Sequence, residues 1–432
     1  MTRSLQPSWP VLASYSLYAA PLTATAVSIL SFIPALYSEA FGLPLASVGA
    51  CLLGMRIIDA AVDPAIGWIV DHSPFRARHR PWLILALPLY LVSVGLLFFP
   101  VRSWVSPAYL FGVGGAAYAA FTLGQVAHQA WGAALADGSR ALSRLFGFRE
   151  VAVILGILGA FLLVAGAEQL GGGDVRSRAV AAGAFILGGI TLATFVTCAF
   201  TPDPQRPELR PDADPGQTWR FLASRDFVLL SLATVTYNFA WVAYSVLGAF
   251  VARHVFGVPK LFALGLAFSF VVAPAAMPVW MALARRLGGR GTLLIASVFL
   301  AGGFALLSPL SRLPGGAGYF AFCGLLGAGF GAGPYLLRTL TGTLANDHEA
   351  RTGAPVRGVA YAVITFFDKA GSGLGSISLL VVAALGFDPL KVPTPAATTA
   401  LLLAGSGAPI LGLALTFTLV LFVRSGSRPQ GL

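Results

Sequence analysis

Apolar runs of about 20 residues recur from one end of this sequence to the other, and each is long enough to cross the hydrocarbon core of a bilayer as a helix. The chain is 57% hydrophobic and only 10% charged, where a soluble protein carries roughly a quarter charged residues. The pattern predicts an all-α membrane protein with twelve transmembrane helices. The first six are expected at about 11–39, 45–70, 82–101, 107–136, 145–167 and 179–200, and the second six at about 227–252, 260–284, 291–310, 317–345, 356–386 and 399–423. Residues 1–200 then form an N-terminal six-helix bundle, 201–226 a polar, proline-rich cytoplasmic linker, and 227–432 a C-terminal six-helix bundle. Within the linker, Trp219-Arg220-Phe221-Leu222 reads equally as a short interfacial helix or as plain connection.

The net charge of +11 would suggest a nucleic-acid partner in a soluble chain. Here the basic residues fall mainly on one side of the spans, so they report orientation, and nucleic acid is not an expected partner. With the N-terminus cytoplasmic, inside segments hold about 18 of the 28 Lys and Arg, outside segments about 7, and spans the remaining 3. Both termini are therefore expected inside. Cys51, Cys198 and Cys323 lie in apolar runs without ligand spacing. No cleaved signal peptide is expected. The tracts Gly327-x-Gly329-x-Gly331-x-Gly333 and Gly371-x-Gly373-x-Gly375 sit in spans with no preceding strand, so they read as close helix packing and not as dinucleotide loops. Pro21, Pro34, Pro64, Pro274, Pro278 and Pro334 predict kinks.

Charges inside a span cost at least a few kcal/mol each, so they mark where something happens. Arg56, Asp59 and Asp63 sit three and four residues apart in the second span and share one helix face. Two carboxylates one turn apart in low dielectric repel, so the pair should hold a proton or chelate a cation. A structural ion-pair network with Arg56 is the alternative.

Six helices, a polar loop and six more is the arrangement of the major facilitator superfamily, whose halves rock about a central cavity. The stretch Arg56-x-x-Asp59-x-x-x-Asp63-Pro64-x-x-Gly67-Trp68-x-x-Asp71, followed by Arg76, Arg78 and Arg80-Pro81-Trp82, closely resembles the glycoside–pentoside–hexuronide:cation symporter family. Trp131 to Asp137 with Arg140, Arg144, Arg149 and Glu150 resembles that family's junction of the fourth and fifth helices. Glu349, Arg351, Thr352, Gly353, Arg357, Gly358 and Lys369 resemble its tenth-to-eleventh helix region. The resemblance implies cation-coupled symport of a sugar or glycoside, with Asp59 and Asp63 as the coupling pair. Thr23 stands where a sugar-binding relative has an aspartate, and His128 stands near a further acidic position. The wider family includes a lysophospholipid transporter of animals, so lipid-like substrates stay open.

Other span residues complete the candidate set. Arg56 would keep one carboxylate ionised or bind an anionic group. Lys369, beside Asp368, would reach Asp59 or Asp63 or form a structural pair. His128, near Gln125 and Gln129, reads as a proton relay or a packing histidine. Arg149 and Glu150 suggest a cavity or gate role, and Arg338 a substrate contact or a snorkelling side chain. Tyr15, Tyr18, Tyr237, Asn238, Trp241 and Tyr244 are cavity candidates or aromatic-belt residues. Asp71 with Arg76, Arg78 and Arg80 reads as a cytoplasmic gate.

The expected function is a bacterial-type inner-membrane symporter, monomeric, using H⁺ or Na⁺ and no cofactor; a Na⁺ ion at Asp59 and Asp63 is the one metal in view. The rivals are a transporter of amphipathic molecules and a non-transporting sensor or assembly protein. No metal spacing, nucleophile elbow or phosphate loop in the aqueous segments suggests an enzyme.

Overall fold

The computed structural model describes residues 7–72, 79–136, 138–171, 175–204, 216–385 and 394–424, and among these every regular element is helical. In the first half these are α1 (Trp9–Ala40), α2 (Leu45–Asp71), α3 (Arg80–Phe98), α4 (Pro107–Leu135), α5 (Ser139–Gly171) and α6 (Val175–Phe200). The second half holds α7 (Arg225–Ser245), α8 and α9 within Phe262–Ala305, α10 (Ala317–Thr352), α11 (Arg357–Ala384) and α12 (Thr398–Phe422). Nine described runs are long and apolar enough to cross a membrane. One of them, Leu264–Ser311, contains two helices, because Gly288 adopts φ 76° and breaks α8 from α9. Only glycine takes that backbone conformation without strain. With the charge-bearing α2 and α11 the count reaches twelve.

Contacts group the chain into two compact units, Met1–Thr218 with Ala345–Val363, and Trp219–Leu344 with Ile364–Leu432. The division falls inside a short helix, Gln217–Leu222, where Trp219 is exposed and Phe221 is buried against Phe227. In the first unit α4 packs on α2 and α3, while α1 packs on α5 and α6. Buried polar groups tie these helices together, as expected where lipid offers no hydrogen bonds. The Tyr37 hydroxyl donates to Leu97 O at 3.1 Å, Tyr109 to Leu96 O at 2.9 Å, and the Trp131 indole to Pro202 O at 2.9 Å. In the second unit α10 packs against the α8–α9 run and α12 against α7. There the Trp280 indole donates to Ala328 O at 2.7 Å.

The turn from α10 to α11 belongs to the first unit, and it approaches α2 closely. A Cβ on Gly67 would lie 2.5 Å from Ala362 Cβ and 2.7 Å from Gly358 O. Neither neighbour has a flexible end that can give way. Gly67→Ala is therefore expected to destabilise the protein by about 1–3 kcal/mol through overpacking. A lower melting temperature of the purified variant would show it, and an unchanged one would mean that α2 and α11 separate freely.

Candidate functional site

The site is built on one stripe of α2. Met55, Asp59, Asp63, Gly67 and Asp71 are spaced four apart, so they follow one another along a single helix face. Met55 fills the space left by Gly114 of α4. Asp59 and Asp63 are buried, at 3% and 0% exposure. The Thr122 hydroxyl of α4 donates to Asp59 Oδ1 at 2.6 Å. Pro64 follows directly and deprives the Ala60 carbonyl of its helix donor. Buried acids one turn apart, beside a hydroxyl and a freed carbonyl, are the oxygen donors a small cation or proton needs. The Arg56 side chain lies outside the described residues.

At the end of the stripe, Asp71 caps another helix. Its Oδ1 accepts the Gly358 N–H and its Oδ2 the Val359 N–H, each at 2.7 Å. Glu349 Oε1 accepts the N–H groups of Val356 and Arg357 at 2.9 and 3.2 Å. The four leading amides of α11 are thus held by two carboxylates, which also oppose the positive end of the helix dipole. Glu349 pairs with Arg357 at 3.1 Å, and Asn346 Nδ2 donates to Ala133 O and Ala136 O at the end of α4. Gly358 lacks a side chain where a Cβ would meet Asp71 Oδ1 at 2.9 Å.

The basic loop separates into parts. Arg76 and Arg78 lie outside the described residues. Arg80 directs its guanidinium to Thr201 O at 3.1 Å and its N–H to Asp203 Oδ2 at 2.8 Å. Asp203 also accepts the His79 N–H and Nδ1–H at 3.0 and 3.1 Å. Burial raises the Asp203 pKa, but the His79 hydrogen bond and charge and the two backbone N–H groups outweigh it and hold the carboxyl below its ordinary value. A depressed carboxyl pKa contributes stability above the unfolded-state value and loses it as pH falls through the folded-state one. Acidification below about pH 4 should therefore lower the melting temperature of the wild type more than that of Asp203→Asn. Parallel pH curves for the two proteins would remove Asp203 from the stability balance.

Tyr15, Tyr18 and His128 form a cross-link between α1 and α4. The Tyr15 hydroxyl donates to His128 O at 2.9 Å, and His128 Nε2–H donates to Tyr15 O at 2.8 Å. The rings of Tyr15 and His128 stack at 4.1 Å, and Tyr18 lies tilted at 5.0 Å. All three are fully buried. A carbonyl only accepts, so His128 carries its proton on Nε2. Its Nδ1, Gln129 Nε2 and Gln125 Oε1 are buried without hydrogen-bond partners among the described residues. Arg149 and Glu150 are buried side by side on α5, 3.8 Å apart. The Thr23 hydroxyl returns to its own helix at Ala19 O, 2.9 Å.

In the second unit Asp368 gathers the polar groups. Arg338 Nη2 approaches its Oδ2 at 3.7 Å, and Asn238 donates to its Oδ1 and to Thr234 O. Lys369 is half-buried on the adjacent face of α11. Tyr237 is fully buried and its oxygen accepts the Gly333 N–H at 3.2 Å. Trp241 meets Phe330 edge to face at 5.1 Å, and Tyr244 meets Phe322 likewise at 5.5 Å. Sequence reasoning missed Thr122, an ordinary hydroxyl in mid-span, and Asp203 and Asn346, which look like ordinary polar residues near span ends. It passed over Asp368 as a partner for Arg338 and Asn238, although an acid in mid-span was the signal.

Twelve helices among the described residues, with carboxylates, a histidine and arginines buried inside them, are the arrangement of the major facilitator fold. The solved structure of FucP in its outward conformation has the same fold, with a TM-score of 0.69, 15% identity, and coverage of 96% of this chain and 98% of that one. A bacterial homologue of the iron transporter ferroportin, outward-facing, gives 0.66 at 14% identity over 95% and 98%. The profile of the MFS/sugar transport protein family matches residues 14–425, and the chain belongs to that family. The symporter YnaJ of Bacillus subtilis, itself uncharacterised, is 26% identical over 88% of this chain and 84% of its own. A glucuronide carrier protein homologue of Escherichia coli is 25% identical over 90% and 87%. The isoprimeverose transporter of Lactiplantibacillus pentosus is 37% identical over 20% of this chain and 18% of its own.

Proposed function

We propose that this transporter is a symporter that couples inward movement of a proton or sodium ion to uptake of a sugar, glycoside or other small polar solute. It would lie in a bacterial inner membrane as a monomer with both termini cytoplasmic. The burial of Asp59 and Asp63 one turn apart on α2 carries the reading. Unoccupied, the two carboxylates repel; a bound cation or proton neutralises the pair and lowers the cost of burying it. The same stripe of α2 ends at Asp71, so a small shift of the helix on neutralisation bears on the cap of α11. Releasing that cap is the gate step. Within the second unit, Arg338, Asp368 and Asn238 supply the charged and amide groups that sugar hydroxyls require. Symport and sugar-like solutes also accord with the names of the relatives.

Uptake into proteoliposomes under an imposed pH or sodium gradient tests the proposal with a panel of labelled monosaccharides, glycosides and uronides. Accumulation above equilibrium with one gradient, and its collapse when an ionophore dissipates that gradient, is expected. A panel in which every solute merely equilibrates would overturn coupling.

A further inference from the structure

The second unit contains a cavity that the coupling and gate residues do not reach. It lies among α7, α8 and the first half of α10, encloses about 210 Å³, and is walled by Trp241, Tyr244, Phe262, Tyr319, Cys323 and Phe330. The hydroxyls at its edge are already committed to backbone. Ser245 donates to Trp241 O at 2.7 Å, Ser269 to Cys323 O at 2.8 Å, and Tyr319 to Phe262 O at 3.3 Å. What remains for a ligand is mostly hydrocarbon and ring surface, with the Tyr244 hydroxyl and the Trp241 indole N–H as its polar points.

The rings of the wall meet edge to face. Trp241 and Phe330 stand at 81°, Phe270 and Phe330 at 85° with centroids 5.5 Å apart, and Tyr244 is backed at 70° by Phe322, which is not itself part of the wall. A further ring extends such an array, because its edge and face complement those of the wall, whereas a saturated chain has no quadrupole to offer. The size fits too: an apolar cavity of roughly 150 Å³ already accommodates benzene. Asn238 lies three residues before Trp241 and so one turn away on the same side of α7. Through Asn238 the apolar chamber adjoins the polar group of Asp368 and Arg338.

We propose that this cavity binds an aryl ring, the apolar part of an amphipathic solute whose polar part is held by Asn238, Asp368 and Arg338. The polar half of the statement rests on the transporter reading; occupancy of the cavity does not.

Photolabelling of the full-length protein in liposomes tests it, with 4-azidobenzyl alcohol as the aryl probe and a decyl diazirine as the aliphatic comparator. Adducts are expected on peptides containing Phe262–Phe270 and Tyr319–Phe330, reduced at least about tenfold by excess benzyl alcohol. Gly248→Leu should cause the same loss by filling the chamber. Its added Cβ meets Phe262 at 3.6 Å and Tyr244 at 3.8 Å, which is ordinary contact that leaves the backbone in place. If that variant does not fold, Leu266→Trp at the half-exposed rim replaces it. Aryl labelling that is not competed, or that persists in the folded variant, overturns the proposal. So does stronger, competable labelling of the same peptides by the aliphatic probe, which would make the chamber a site for a lipid chain. Intact aryl labelling in a protein that shows no gradient-driven uptake would fault the transporter reading alone.

Discussion

Asp59→Asn and Asp63→Asn should each lower gradient-driven accumulation by roughly 100-fold, equivalent to about 2.7 kcal/mol of lost coupling. Coupling requires a group that binds the driving ion more tightly in one state of the carrier than in the other. An amide keeps the shape and one oxygen but cannot be protonated or supply charge. In Asp59→Asn, Thr122 can still donate to the side-chain amide oxygen, so the packing of α2 on α4 is preserved. Exchange without a gradient and the melting temperature are read alongside accumulation, so that loss of coupling is separated from loss of the fold. Solute exchange across the membrane without a gradient should persist, because the solute-binding groups are untouched. Accumulation that survives in both variants would take these acids out of the mechanism. Loss of exchange together with a fall in melting temperature would show a structural role instead.

At Asp71 the expected effect is on the gate. Asparagine offers one acceptor where the carboxylate offers two, so Asp71→Asn leaves Gly358 or Val359 with a buried, unpaired N–H. Such a loss costs about 1.5–3 kcal/mol, because the bonds are charge-assisted and water does not replace them. Hydrogen exchange at those two amides should then speed up by roughly 10- to 100-fold. Uptake should change in rate while the ratio of accumulation at steady state, set by the driving ion, stays the same. Normal uptake kinetics alongside fast exchange would dismiss the gate reading and leave Asp71 as a helix cap. A variant with Asp71→Ala, which removes both acceptors, should exceed the effect of asparagine.

Much of this was legible in the sequence because a bilayer imposes simple rules. Length and apolarity placed the spans, and the cost of burying charge singled out Asp59 and Asp63. The glycine tract near Gly333 was readable as close packing, and there the Tyr237 ring occupies the space a Cβ would need. The ambiguous Trp219 to Leu222 segment became a helix with one buried face. Partnerships were harder. His128 was equally a relay or a packing residue by sequence, and its reciprocal bonds with Tyr15 depend on a neighbour 113 positions away. Asp71 pointed to the arginines that follow it in the chain, yet it holds amides 287 and 288 residues later.

By itself, then, the order of residues determined how many times the chain meets the membrane and which side chains are too costly to be there without purpose, since both follow from transfer energies summed locally. Only the tertiary structure decided which donor each buried acid receives and where ring surfaces enclose a chamber. Those depend on distances between helices remote in sequence, and hydrogen bonds and ring contacts vanish within an ångström or two of misplacement.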